Sequence, residues 1–165
     1  MNWSRMILDG IVVALVFNLT VGMFWLIMPN AYSSMLPKEI KNAAPKREKK
    51  EVALLASILY PLYILIFAYM IASAYQAGIT GFWNMFWMGY IEMMFVNIGD
   101  FFGLDWFFRK KLKDKIMITG TEHCKAWETK EWMKTLAIPE HWILWPFLVC
   151  PLVGFICSVV GTLIR

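Results

Sequence analysis

Charge is what this sequence lacks most. Charged residues make up 17 % of the 165-residue chain, against about 25 % in an ordinary soluble domain. Hydrophobic residues make up 59 % and the mean hydropathy is +0.55. One soluble core cannot hide that load, because a domain of this size keeps much of its surface in water. A soluble enzyme and a disordered chain are therefore excluded. Cysteine is scarce as well. Cys124, Cys150 and Cys157 are the three present, and two of them fall in the last apolar run. They supply no disulfide framework, which excludes a small stapled secreted domain. The metal and redox signatures H-E-x-x-H and C-x-x-C are missing. Lysine and arginine are absent from each of the four long apolar runs.

Those runs are Met6–Met28, Val52–Ala74, Gly81–Phe108 and Trp142–Ile164. Each reaches the ~20 residues a helix needs to cross ~30 Å of hydrocarbon. They are continuously apolar and do not alternate, which favours helices over barrel strands. The first run is longer than a signal-peptide core and its basic flank follows it, so it reads as a retained helix. The expected architecture is all-α: a polytopic, four-transmembrane-helix bundle in which residues 1–165 form a single integral membrane domain.

A net charge of +4 and a pI near 9.0 suggest a nucleic-acid partner only until the charges are located. Of 16 Lys and Arg residues, six lie between the first two runs and eight between Arg109 and Lys134. Only Arg5 and Arg165 lie elsewhere. Basic residues gathered in alternate loops follow the positive-inside rule. Loops Pro29–Glu51 and Arg109–His141 are then cytoplasmic, both termini lie outside, and Tyr75–Thr80 is a short external hairpin. The plasma membrane is the expected location, and no nucleic acid is implied. Trp3, Trp25, Trp83, Trp106 and Trp142 sit near run ends, where interfacial aromatics belong.

In the first loop, Lys46–Lys50 reads as a topology determinant that can also attract anionic lipids, at roughly 1 kcal/mol per basic residue. In the second, Thr119-Gly-Thr-Glu122 fits a capping box. It predicts a helix starting near Gly120 and ending before Pro139, with Trp127, Trp132, Met133 and Leu136 on its apolar side. This would be a short cytoplasmic amphipathic helix on the inner membrane surface.

The third run carries the chemistry: Glu92, Asn97, Asp100 and Asp105. A charged carboxylate at the centre of a bilayer costs about 3 kcal/mol on insertion scales, so such a residue normally faces protein or water. At 100° per residue, Met85, Gly89, Glu92, Val96, Gly99 and Gly103 share a sector of about 80°, with Asp100 at its edge. The glycines make that stripe a close-contact face. With no basic residue in the spans, Glu92 is expected to be protonated, hydrogen-bonded, cation-bound or solvated. Asn18, Tyr60, Tyr63 and Ser158 are its candidate neutral partners. Asp105 falls off the stripe and is expected to pair with Arg109 four residues on. Asp9 reads as a carboxylate favoured near a helix N-terminus. Cys150, Gly154, Cys157, Ser158 and Gly161 read as a packing seam, because thiols seven residues apart on a helix are roughly 10 Å apart along the axis. Pro61, Pro146 and Pro151 are expected to kink their helices.

Three functions follow as expectations. The first is transport or permeation of a small solute, cation or proton. Glu92 is its central site, Asn97, Asp100, Asn18 and Tyr60 contribute to binding, and a homo-oligomer encloses the path. The second is a membrane-embedded enzyme acting on a lipid or lipid-linked substrate. It would use an inner-face group of Asp100, Asp105, Glu122, His123, Cys124, Glu140 and His141 for acid–base work. Asp100, Asp105, His123 and His141 are the metal-ligand candidates. The third is a non-catalytic subunit whose glycine stripe, including Gly99 and Gly103, binds a partner. No cofactor is indicated by any motif.

Overall fold

A computed structural model describes residues 2–164. Arg165, one of the two basic residues placed away from the inner loops, lies outside the described residues. The described residues form helices and turns, with no strand among them. Four helices are long. α1 is Trp3–Ile27, and a short helix α2 follows at Lys38–Ala43. α3 is Lys49–Gln76 and α4 is Phe82–Asp100. α4 continues through a wide-turned π segment at Phe101–Phe108 and ends at Lys111. After a short α5 at Lys113–Ile116, α6 runs unbroken over Thr129–Leu163.

Three of these helices, α1, α3 and α6, are long and apolar enough to cross a membrane. Leu8, Leu15 and Leu19 on α1, Ile64 and Leu65 on α3, and Phe147 on α6 are all exposed, an apolar exterior that only lipid or protein could satisfy. α4 is not among the three. Asn84, Glu92, Asn97 and Asp100 dilute it, and it can carry them because it packs between α1 and α6.

The packing is close where small residues allow it. A Cβ on Gly154 would lie 2.6 Å from the Phe86 carbonyl oxygen, and one on Gly89 3.1 Å from the Gly154 Cα. The expected seam on α6 is thus an α4–α6 contact, and the Ser158 hydroxyl donates to the Phe82 carbonyl across it at 2.8 Å. Gly103 departs from the expected stripe: a Cβ there meets nothing within 4 Å. The π segment that begins at Phe101 bonds i to i+5, which changes the angular phase and turns Gly103 off the contact face.

α3 touches its neighbours sparingly. It is tied at the terminus end of the bundle, where Tyr75 donates to the Gly161 carbonyl and Ser73 meets Arg5 and Asp9. The hairpin after it is built by Gly78 and Gly81, at φ +70° and +87°, a conformation that glycine adopts without strain.

At the opposite, loop end, the two large loops fold together. Ile40, Ile116, Ile118, Trp127 and Trp132 are all buried in one apolar cluster with Trp25 of α1. The Glu39 carboxylate accepts from the Lys125 and Ala126 backbone N–H groups at 3.0 and 2.8 Å, joining α2 to the second loop. The helix expected from Gly120 to before Pro139 is corrected in both bounds. Gly120 sits at φ +89°, and Thr121 is turned inward to receive the Trp127 indole N–H at 3.0 Å. The helix starts at Thr129 and runs through Pro139, so it is the first part of α6 and not a separate surface helix. Proline is tolerated there because two further π segments, Met133–Ala137 and Glu140–Val149, widen the turns on either side of it.

Candidate functional site

The π segments Phe101–Phe108 and Glu140–Val149 each carry a polar residue, Asp105 and His141, and these meet. Asn97 of α4 donates its Nδ2–H to the His141 carbonyl at 3.0 Å, which fixes the orientation of the amide. Its Oδ1 then faces His141 Nδ1 at 2.7 Å. On the other edge of the ring, Nε2 lies 2.9 Å from Asp105 Oδ2. The second carboxylate oxygen receives the Trp132 indole N–H at 3.2 Å. Asn97, Asp105 and His141 are all buried.

This geometry counts protons. An amide oxygen only accepts, so Nδ1 carries a hydrogen. Nε2 faces a carboxylate oxygen, so a second proton lies between them. The pair is either imidazolium against carboxylate or neutral imidazole against carboxylic acid. In both forms it holds a proton at the head of the site.

Around this dyad a cleft of about 90 Å³ is lined by Asp100, Asp105, Glu140 and His141, together with Trp25, Tyr32, Leu104 and Trp132. Asp100 makes no hydrogen bond among the described residues. Trp25, 5 % exposed, has a buried indole N–H with no partner among them. A second and larger space, about 500 Å³, opens between the loosely held α3 and the rest of the bundle. Phe17, Tyr63, Phe67, Met93, Leu148 and Ile156 are among its walls, and Glu140 is the charged residue on them. Glu140 therefore borders both spaces. Its carboxylate receives the Trp145 indole N–H at 3.4 Å.

The other predicted site residues are scattered. Glu92 is 0 % exposed and faces protein, as expected, but neither carboxylate oxygen has a hydrogen-bond partner among the described residues. It lines none of the cavities described here. Asp9 and Arg5 are its charged neighbours. Asn18 reaches α4 but donates to the Val96 carbonyl at 3.1 Å, and Ser158 serves the α4–α6 seam. Tyr60 is 69 % exposed on the outer face of α3 and does not join the site. Tyr63 packs its ring against Phe17 at 5.6 Å. The Asp105–Arg109 pair is replaced: Asp105 turns to His141, and buried Arg109 donates to the Trp127 carbonyl at 3.0 Å. Asp9 is buried in a polar knot, with Arg5 Nε at 3.0 Å and the Tyr69 hydroxyl at 2.7 Å.

The metal-ligand set does not assemble. His123 is exposed on the loop, and both ring nitrogens of His141 are taken up by protein. Among the described residues no three His, Cys, Asp or Glu side chains converge on a metal-sized site. Glu122 also stays apart. Hydrogen bonds from its own and the Gly120 backbone N–H groups hold its carboxyl below the usual range. Burial, then Glu39 and Glu122, push the Cys124 thiol up, the opposite of what a reactive thiolate requires.

Asp100, Asp105, Glu140 and His141 of the expected inner-face group do meet at one cleft; the bonding of Asn97 to His141 is what sequence reasoning missed. The one signal for the cleft was the co-occurrence of a histidine and several carboxylates near the inner ends of the third and fourth runs. No family model matches the chain, and neither does any curated protein or solved structure.

Proposed function

We propose that this is a four-helix integral membrane protein, α4 being the protein-shielded fourth span. It draws the hydrocarbon tail of a membrane lipid or lipid-linked molecule into the space between α3 and α6. The polar end of that molecule then meets the His141–Asp105 dyad, which can lend or take up a proton. The observation that carries this reading is Glu140, which borders both the apolar cavity and the polar cleft. A tail in one and a head in the other describe an amphiphile. The cavity volume lies within the about 300–1,000 Å³ usual for ligand sites, and its walls are apolar, as a tail requires.

The basic loops favour a cytoplasmic position for this head site, at the plasma membrane. Lys46, Arg47 and Lys49, which line a shallow pocket at the start of α3, would draw anionic lipids to the same surface. The whole site lies within one chain, so this reading needs no second copy. Permeation of a proton or cation through Glu92 is the second reading, favoured by its two unpartnered buried oxygens. It ranks lower because Glu92 lines none of the five cavities described above.

The test is a comparison of copurifying lipids. Wild-type protein extracted in mild detergent should carry an amphiphile detectable by mass spectrometry. Ile156→Trp, which fills the cavity, should lose it, and His141→Gln should retain it. Equal lipid content in wild type and the Ile156 variant refutes the reading.

A further inference from the structure

The head cleft has a composition that selects its ligand. Asp100, Asp105 and Glu140 bring three carboxyl groups to a space of about 90 Å³, and His141 is the one basic side chain on its wall. The His141 charge is already matched by Asp105 at 2.9 Å. Two carboxyl groups thus remain over, in a region where an unpaired charge is costly. A phosphate or carboxylate head would add to that cost. A cation would relieve it. Trp25, Tyr32 and Trp132 share the same wall, with Trp132 stacked on Trp25 and Trp127, so the carboxyl groups and the Trp25 indole N–H supply the cleft's polar contacts.

Two unpartnered groups sharpen the choice. Asp100 lines the cleft with both carboxylate oxygens free of hydrogen bonds among the described residues, ready to accept from an N–H. Trp25 offers the reverse: a buried indole N–H without an acceptor. A ligand that donates from nitrogen and accepts at a nearby oxygen satisfies both.

Resting on the lipid-binding reading above, we propose that the ligand is a long-chain amino alcohol. Its single hydrocarbon chain occupies the cavity between α3 and α6, its ammonium group lies between Asp100 and Glu140, and its hydroxyl oxygen accepts from Trp25 Nε1–H. Neutral and anionic amphiphiles of the same chain length are discriminated against by the carboxylates.

The experiment is a binding series on the full-length protein in detergent, read by tryptophan fluorescence and by calorimetry. The probes are a long-chain amino alcohol, hexadecylamine, hexadecanol and hexadecanoic acid. The amino alcohol should bind about tenfold or more tighter than hexadecanol, with hexadecanoic acid weakest. Asp100→Asn should remove most of that preference and leave hexadecanol affinity unchanged. Trp25→Phe should bring the amino alcohol down to hexadecylamine. If Asp100→Asn does not fold, Glu140→Gln replaces it and should narrow the preference in the same sense. Equal binding of amine, alcohol and acid, or a preference that survives both carboxyl variants, overturns the head assignment and leaves the tail cavity standing. Four probes that all fail to bind, or that bind equally well to Ile156→Trp, overturn the cavity reading itself.

Discussion

Replacing Asp105 by alanine removes the acceptor of two buried hydrogen bonds, from His141 Nε2 at 2.9 Å and Trp132 Nε1 at 3.2 Å. Hydrogen bonds to charged groups contribute about 1.5–3 kcal/mol each. Taking the low end for both gives a loss of ~3 kcal/mol. In a chain of this size each kilocalorie lowers Tm by about 2–4 °C, so the drop should be about 6–12 °C. Asp105→Asn separates charge from shape. The amide oxygen can still receive the Trp132 N–H, and its NH₂ can donate to an Nε2 that no longer carries a proton. Its cost should be less than half that of the alanine variant. The assay is thermal unfolding in detergent followed by tryptophan fluorescence, with nitrogen-15 NMR of the His141 ring as a second readout. Nδ1 should stay protonated in the asparagine variant, and the proton shared between Nε2 and Asp105 should be lost. An alanine variant that unfolds within about 2 °C of wild type would refute the pairing. So would an asparagine variant whose Nε2 carries a proton.

Four further outcomes follow from other parts of the molecule. Gly154→Ala puts a methyl group 2.6 Å from a backbone oxygen and should cost about 1–3 kcal/mol by overpacking. Gly103→Ala meets open space and should be neutral or stabilising in the same unfolding assay. Glu92→Leu should stabilise by about 1–3 kcal/mol, because it removes a buried carboxyl group without a hydrogen-bond partner; a loss of stability would show that Glu92 is held by a bound ion or water. Glu39→Ala deletes two hydrogen bonds between the loops, and limited proteolysis should then cut near Lys125 far faster than in wild type.

The helices were legible because their signal is additive along the chain. Twenty apolar residues announce a span whatever they pack against, and the bounds of α1 and α3 fall within about three residues of the expected runs. The burial of Glu92 was legible for the same reason, since its cost forces it towards protein. Asp105 was misread because its direction was projected at 100° per residue past Asp100, where the helix changes to π turns. His141 was read as one polar residue among several, because nothing in a sequence states that Asn97, 44 positions earlier, will bond both its carbonyl and its ring. The Gly120 helix failed for a different reason. Thr119-Gly-Thr-Glu122 has the residues of a capping box, yet the Trp127 indole claims Thr121 and the left-handed Gly120 makes a turn. Pro139 looked like a stop, and a widened helix runs through it.

The Glu39 staple also carries a consequence for how the molecule is made. Its two donor N–H groups lie 86 and 87 residues further along the chain, beyond the whole of α3 and α4. During synthesis the first loop must wait, unclosed, until the second has emerged, so long-range pairing here comes late. The end of the bundle that holds the His141–Asp105 dyad is therefore the last to be sealed. A chain severed in the Gly78–Gly81 turn should regain that seal only when both halves share one membrane.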